Sequence, residues 1–153
     1  MPQFRAIPVT DSLAIELLTE YFTYRAESFP TPSGYVTTFP SREQFEPPRG
    51  TFVIVEDADI VLGCGGIRQL EPGRFEVKHL WVRPEGRGEG LGRQLLDELE
   101  VRARHWGATE LVLDTNESLA AAGGLYRSSG FDSVEPYNDN PNATTWYRKA
   151  LSP

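Results

Sequence analysis

Between residues 87 and 93 the chain runs Arg87-Gly88-Glu89-Gly90-Leu91-Gly92-Arg93, with glycines alternating with longer side chains just ahead of a leucine-rich segment. Glycines at a helix start leave several backbone N–H groups unpaired, and the missing Cβ atoms let a bulky anion approach them with the helix dipole behind. Arg87 and Arg93 add charge that can reach phosphate oxygens. Arg93 stands where a dinucleotide fingerprint needs its third glycine, and no Gly-Lys-Ser/Thr follows, so neither a Rossmann nor a Walker A loop is expected. The stretch reads either as a phosphate seat or as a plain strand-to-helix turn with solvated arginines. His79 and His105 lack metal-ligand spacing, and no metal site is expected. Cys64, the sole cysteine, lies in Val61-Leu62-Gly63-Cys64-Gly65-Gly66-Ile67, a core-strand pattern that would bury the thiol.

The elements that must position these residues follow from periodicity. Asp11 is a candidate N-cap for a helix running to about Ser28, with Leu13, Ile15, Leu17, Leu18, Tyr21, Phe22 and Tyr24 recurring near helical spacing. From Pro30 to Arg49 the chain is rich in breakers and aromatics, with a short helix expected at Ser41 to Phe45; such a segment is a connection or a ligand loop. Strands are expected from Thr51 to Glu56, Ile60 to Gln69 and Phe75 to Val82, joined by turns into a meander. Strict alternation in the third strand puts Phe75, Val77, His79 and Trp81 on one face and Glu76, Lys78, Leu80 and Val82 on the other. Leu91, Leu95, Leu96, Leu99 and Ala103 then mark a helix ending at Gly107. A strand at Glu110 to Asp114, a helix at Ser118 to Ser129 and a closing strand at Thr144 to Leu151 complete the order. The class is α+β, with a mixed sheet and helices on both faces.

The chain has 153 residues and a formal net charge of −7, from 22 Asp and Glu against 15 Lys and Arg. A length near the modal domain size implies one domain over 1–153. The acidic balance argues against a nucleic-acid partner and mildly favours cationic ones. No apolar run is long enough to span a bilayer and the N-terminus has no signal-peptide core, so no membrane association and a cytoplasmic location are expected.

The stretch from Phe75 to Arg93 resembles the signature of the GNAT superfamily of acetyl-CoA-dependent N-acetyltransferases. Its pattern Arg/Gln-x-x-Gly-x-Gly/Ala is met by Arg87, Gly90 and Gly92, and a second family pattern, Leu-Tyr-x-x-x-Gly-Phe, by Leu125-Tyr126-Arg127-Ser128-Ser129-Gly130-Phe131. The similarity covers nearly the whole chain. It implies a central, mostly antiparallel sheet with one parallel strand pair, Phe75 to Val82 and Glu110 to Asp114, splayed to admit acetyl-CoA. The pantetheine arm would pair with the backbone of Leu80, Trp81 and Val82, and the pyrophosphate would rest on Arg87, Gly88, Glu89, Gly90, Leu91, Gly92 and Arg93. By the same resemblance Tyr126 is the acid that protonates the CoA sulfur, or else a half-buried aromatic with a backbone partner. Glu76 is the candidate general base, or else an ion-pair partner of Lys78 or Arg74, or a solvated strand residue. The family asparagine seven residues before the tyrosine is replaced by Leu119; Asn116 either reaches the cofactor or caps the strand-to-helix turn. The implied function is acetyl transfer to a primary amine of a small molecule, peptide or protein by direct attack in a ternary complex. A non-catalytic acyl-CoA sensor and an enzyme for longer acyl groups are the alternatives. Homodimers are common in the family, but the sequence displays no dimer surface.

Overall fold

A computed structural model describes residues 1–152. In chain order the elements are β1 (Gln3–Ala6), α1 (Ser12–Ser28), β2 (Gly50–Asp57), β3 (Ile60–Glu71), β4 (Arg74–Val82), α2 (Leu91–His105), β5 (Glu110–Thr115), α3 (Ala120–Ser128), β6 (Asp132–Val134) and β7 (Thr145–Ala150), with single 3-10 turns at Glu43–Phe45 and Pro84–Gly86. The Asp11 carboxylate accepts from the Leu13 amide at 2.9 Å and fixes the start of α1. Gly90 and Trp106 bound α2, whose Leu91, Leu95, Leu96, Leu99 and Ala103 are all buried, as their spacing predicts.

Seven strands form one sheet in the order β1-β2-β3-β4-β5-β7-β6. Only β4 and β5 run parallel; the other neighbours are antiparallel. The two outer strands, β1 and β6, have four and three residues, too few for sequence periodicity to mark them. On one face α1 packs Leu17, Leu18 and Phe22 against Phe52, Ile54, Cys64 and Trp81. On the other, Leu96 and Leu99 of α2 and Tyr126 of α3 share a core with Val53, Ile67, Phe75, Val77, Leu111 and Leu113. In α1 the expected row is corrected: Ile15 and Tyr24 are exposed, while Ala14 and Arg25 take buried places with Leu17, Leu18 and Phe22.

Strict alternation in β4 is also corrected. Gly66 pairs with Lys78 and Cys64 with Trp81, so two residues of β4, His79 and Leu80, stand opposite Gly65 alone. The extra residue is a bulge, taken up at His79 with φ 59°. Phe75 and Val77 join the α2 core with Leu80, whereas His79 and Trp81 pass to the α1 face. There the His79 ring meets Tyr21, Phe22 and Phe45 at centroid distances of 5.6, 5.5 and 5.7 Å.

Candidate functional site

β4 and β5 pair only at Arg74↔Glu110, Phe75↔Leu111 and Glu76↔Val112. Beyond them the strands part, leaving the β5-facing backbone of Val77 to Val82 without a strand partner. Two adjoining cavities fill the gap. The larger, about 560 Å³, is lined by Leu80, Trp81, Val82, the glycine-rich turn and Ala121, Ala122, Leu125 and Tyr126 of α3. The smaller, about 200 Å³, shares Leu80, Trp81, Ala121, Ala122 and Tyr126 and continues to Arg25, Lys78, His79, Asp114 and Asn140.

At the mouth of the larger cavity the turn before α2 adopts the conformation its glycines allow. Gly88 and Gly90 have φ values of 85° and 78°, in the left-handed region, and a Cβ on either would meet nothing within 4 Å. Gly90 caps α2 without a side chain, and the first amide to enter the helix ladder is that of Gln94, on the Gly90 carbonyl at 3.1 Å. The amides of Leu91, Gly92 and Arg93 precede that first bond, as at any helix start. Gly92 has a packing reason as well: a Cβ there would lie 3.3 Å from Leu125 of α3. Both expected phosphate arginines line this cavity with other contacts already made. Arg87 donates to the Val82 carbonyl at 3.0 Å and lies over the Trp81 and Tyr24 rings, and Arg93 donates to the Ser128 carbonyl at 2.8 Å. Glu89 is exposed and outside the lining.

Tyr126 stands where the cavities meet. The residue is 8% exposed, and its ring lies edge-on to Phe131 and tilted against Tyr147. Burial pushes its hydroxyl well above the usual phenol range, so it stays protonated at neutral pH. Neighbouring polar groups of α3 are engaged elsewhere: Arg127 donates to the Tyr147 hydroxyl and Ser128 to the Leu125 carbonyl.

Glu76 is wholly buried, and its partners are neither Lys78 nor Arg74. Arg68 donates to Oε1 at 2.8 Å and the Tyr137 hydroxyl to Oε2 at 2.5 Å, while Arg74 pairs with Glu110 at 2.9 Å and Lys78 lies 3.9 Å from Asp114. With both oxygens occupied, Glu76 lines neither cavity. Asn116 is buried as a cap: its Oδ1 accepts from the Ser118 amide at 3.0 Å and its Nδ2 donates to the Asn142 carbonyl at 3.2 Å. It too lies outside both linings.

Among the lining residues absent from the site expected from sequence are Arg25, Lys78, His79 and Asp114. Arg25 completes the buried row of α1 and was detectable as a cation at apolar helical spacing from Leu18 and Phe22. Asp114 accepts from the side-chain Nδ2 of Asn138 and of Asn140 at 2.7 and 3.1 Å, which ties the loop before β7 to the end of β5. Asn142 clamps Val36 from both sides, donating to its carbonyl at 2.7 Å and accepting from its amide at 2.9 Å, so the long connection after α1 is anchored over the same end of the sheet. Burial, with Lys78, Arg68 and Arg25 nearby, lowers the His79 pKa to about 3. Burial also pushes the Cys64 thiol up, which keeps it a packed, protonated group donating toward the His79 carbonyl at 3.5 Å.

The sequence profile described as the Acetyltransferase (GNAT) family matches residues 14–131. The chain is 37% identical over 108 residues to an uncharacterised N-acetyltransferase of Schizosaccharomyces pombe, covering 69% of this chain and 66% of the relative. It is 31% identical over 134 residues to an IAA acetyltransferase of Azospirillum brasilense, covering 87% and 85%. Among solved structures, an acyl-CoA N-acyltransferase candidate from Klebsiella pneumoniae superposes with a TM-score of 0.80 at 26% identity over 99% of both chains. A GNAT family acetyltransferase from Elizabethkingia anophelis, with acetyl-CoA bound, shares the fold at a TM-score of 0.69 and 17% identity over 98% of both chains. This chain belongs to the GNAT acetyltransferase family and is an acyltransferase. No described helix is long and apolar enough to cross a membrane.

Proposed function

We propose that the chain is an N-acetyltransferase domain that moves an acetyl group from acetyl-CoA to a primary amine. The observation that carries the reading is the continuous cleft: a glycine-rich helix start at one end, unpaired strand backbone along it, and a buried phenol where it narrows into a second, polar cavity. In this reading the amides of Leu91, Gly92 and Arg93 receive the pyrophosphate, with Gly88 and Gly90 leaving room for it. Arg87 and Arg93 exchange their backbone contacts for phosphate oxygens. The pantetheine amides pair with the β4 edge around Leu80, Trp81 and Val82, as an added strand would.

The thioester supplies an activated acyl carbon. The acceptor nitrogen, in its neutral form, forms the new C–N bond as the C–S bond breaks. The departing sulfur takes the Tyr126 proton, the nitrogen loses one of its own to solvent water, and the tyrosinate regains a proton from solvent before the next turnover. Of the two carboxylates at this end, Asp114 lines the cavity and Glu76 does not, which favours Asp114 as the group facing the amine and leaves Glu76 a strut for Arg68 and Tyr137. Buried and protonated, Cys64 is unsuited to a covalent acyl intermediate, which supports direct attack.

Calorimetric titration with acetyl-CoA tests the cleft. We expect saturable binding that Gly90→Glu weakens by at least about tenfold, since the new carboxylate would repel a phosphate from the α2 amides. Unaltered affinity in that variant would remove the phosphate seat. Thiol release with a panel of amines separates an enzyme from an acyl-CoA sensor, which would bind acetyl-CoA without consuming it.

A further inference from the structure

We propose that the amine accepted by this enzyme carries a carboxylate, and that Arg25 of α1 binds it in the smaller cavity; the inference rests on the acyl-transfer reading. Arg25 as a residue is 8% exposed and lines the cavity beside Tyr126. Its Nη1 donates to the Tyr21 hydroxyl at 2.9 Å, and the group lies over the Tyr35 and Tyr21 rings at 5.1 and 5.8 Å. No carboxylate among the described residues pairs with it. The other cations without a carboxylate partner, Arg49, Arg87, Arg93 and Arg127, are all exposed, where water replaces a counter-ion. A guanidinium withdrawn from water without an anion is costly, and its five donors match a carboxylate in paired geometry.

The charge balance of the cavity points the same way. Its charged lining is Arg25, Lys78 and Asp114, and Lys78 lies 3.9 Å from Asp114, which leaves one positive charge in excess on a chain whose net charge is −7. The nearby Arg68 is matched by Glu76, and His79 is neutral at physiological pH. An amine in its reactive, neutral form that bears one carboxylate brings the complementary negative charge. A simple alkylamine brings none, and a diamine adds to the excess. A second observation is independent of Arg25: the Nδ1 atom of His79 is buried without a hydrogen-bond partner, and His79 lines both this cavity and an adjoining one of about 320 Å³, bounded by Asn138, Asn140 and Asn142 on one side and by Phe39, Pro40 and Phe45 on another. That unpartnered nitrogen is a further polar group available to an acceptor seated beside Arg25.

Wild-type protein tests this with free α-amino acids, β-alanine and γ-aminobutyrate, each against its own carboxamide, by thiol release from acetyl-CoA. Among the amines that turn over, the acid is expected to exceed its amide in kcat/KM by about tenfold or more, the worth of one charge-assisted contact. Arg25→Gln should raise KM for the acids far more than it lowers kcat and bring the acid-to-amide ratio close to unity, whereas Arg25→Lys should keep part of the preference. Should no amine in the panel turn over, calorimetry of the protein–CoA complex with the corresponding N-acetyl acids and N-acetyl amides decides: preference for the acids sustains the inference and equal or absent binding overturns it. Amides accepted as well as acids, or a preference that survives Arg25→Gln, also overturn it while leaving acyl transfer intact. Failure of wild-type protein to bind acetyl-CoA would remove the acyl-transfer reading itself, and this inference with it.

Discussion

Tyr126 couples two properties that are hard to combine: it lines both cavities of the cleft, and its ring is packed into the core against Phe131 and Tyr147. Burial keeps the phenol protonated, the state the proposed proton donor needs. Tyr126→Phe should therefore leave acetyl-CoA affinity nearly unchanged and lower kcat by about 100-fold, measured by initial rates beside calorimetry. A kcat equal to wild type would mean that solvent protonates the thiolate. The position of Tyr126 was legible because its motif is local, a tyrosine five residues before Phe131 with Gly130 between. The surroundings of Glu76 were not legible: Tyr137 lies 61 residues away, and β3 brings in Arg68 through cross-strand pairing that a local pattern does not encode. Arg25 was passed over for a different reason. A cation near a helix end is ordinarily solvated, and only the packing of Tyr21 and Tyr35 around it turns it inward.

Among the elements, β4 carries the most consequence for the cleft. Its bulge shifts every later side chain by one face, so Leu80 reaches the larger cavity from the α2 side while His79 and Trp81 face α1. Periodicity alone predicts an unbroken strand, because nothing in Phe75 to Val82 announces the extra residue. The signal sits on the neighbouring strand, in Gly63, Gly65 and Gly66. A Cβ at Gly63 would come within 2.4 Å of the Trp81 carbonyl, and one at Gly66 within 2.9 Å of the Phe45 ring. Gly63→Ala should accordingly force β3 from β4 and destabilise the fold by about 2 to 3 kcal/mol, read as a lower urea midpoint at unchanged slope. A midpoint equal to wild type would mean that the strands separate there at no cost. The three helices, by contrast, were readable within two residues at their starts, since capping and apolar spacing act locally.

For the molecule as a whole, acid should act in two stages. His79 has a folded pKa of about 3 against a usual 6.5, so below about pH 6.5 the unfolded chain binds a proton that the folded chain refuses. Stability from this group thus falls as pH drops from about 6.5 toward 3, with a slope approaching 1.4 kcal/mol per pH unit for one proton, roughly. Glu20, held by Arg83, and Glu100 and Glu110, whose burial is outweighed by their basic partners, have pKa values below the usual carboxylate range. Their contribution is present above about pH 4.5 and is lost below it. His79→Asn, which tolerates a positive φ, should remove the first stage and move the onset of acid destabilisation from near pH 6.5 to near 4.5 in urea titrations at stepped pH. Identical curves for the two proteins would contradict this account of the imidazole.

The three residue pairs between β4 and β5 make the sheet a board split partway along its grain, with a four-strand wing and a three-strand wing hinged at Arg74 to Glu76. A guest lying in the split would be a wedge and a glue together. Hydrogen exchange should then slow on adding acetyl-CoA at Val77 to Val82 and at the far end of β5, while β1, on the outer margin of the larger wing, stays as it was.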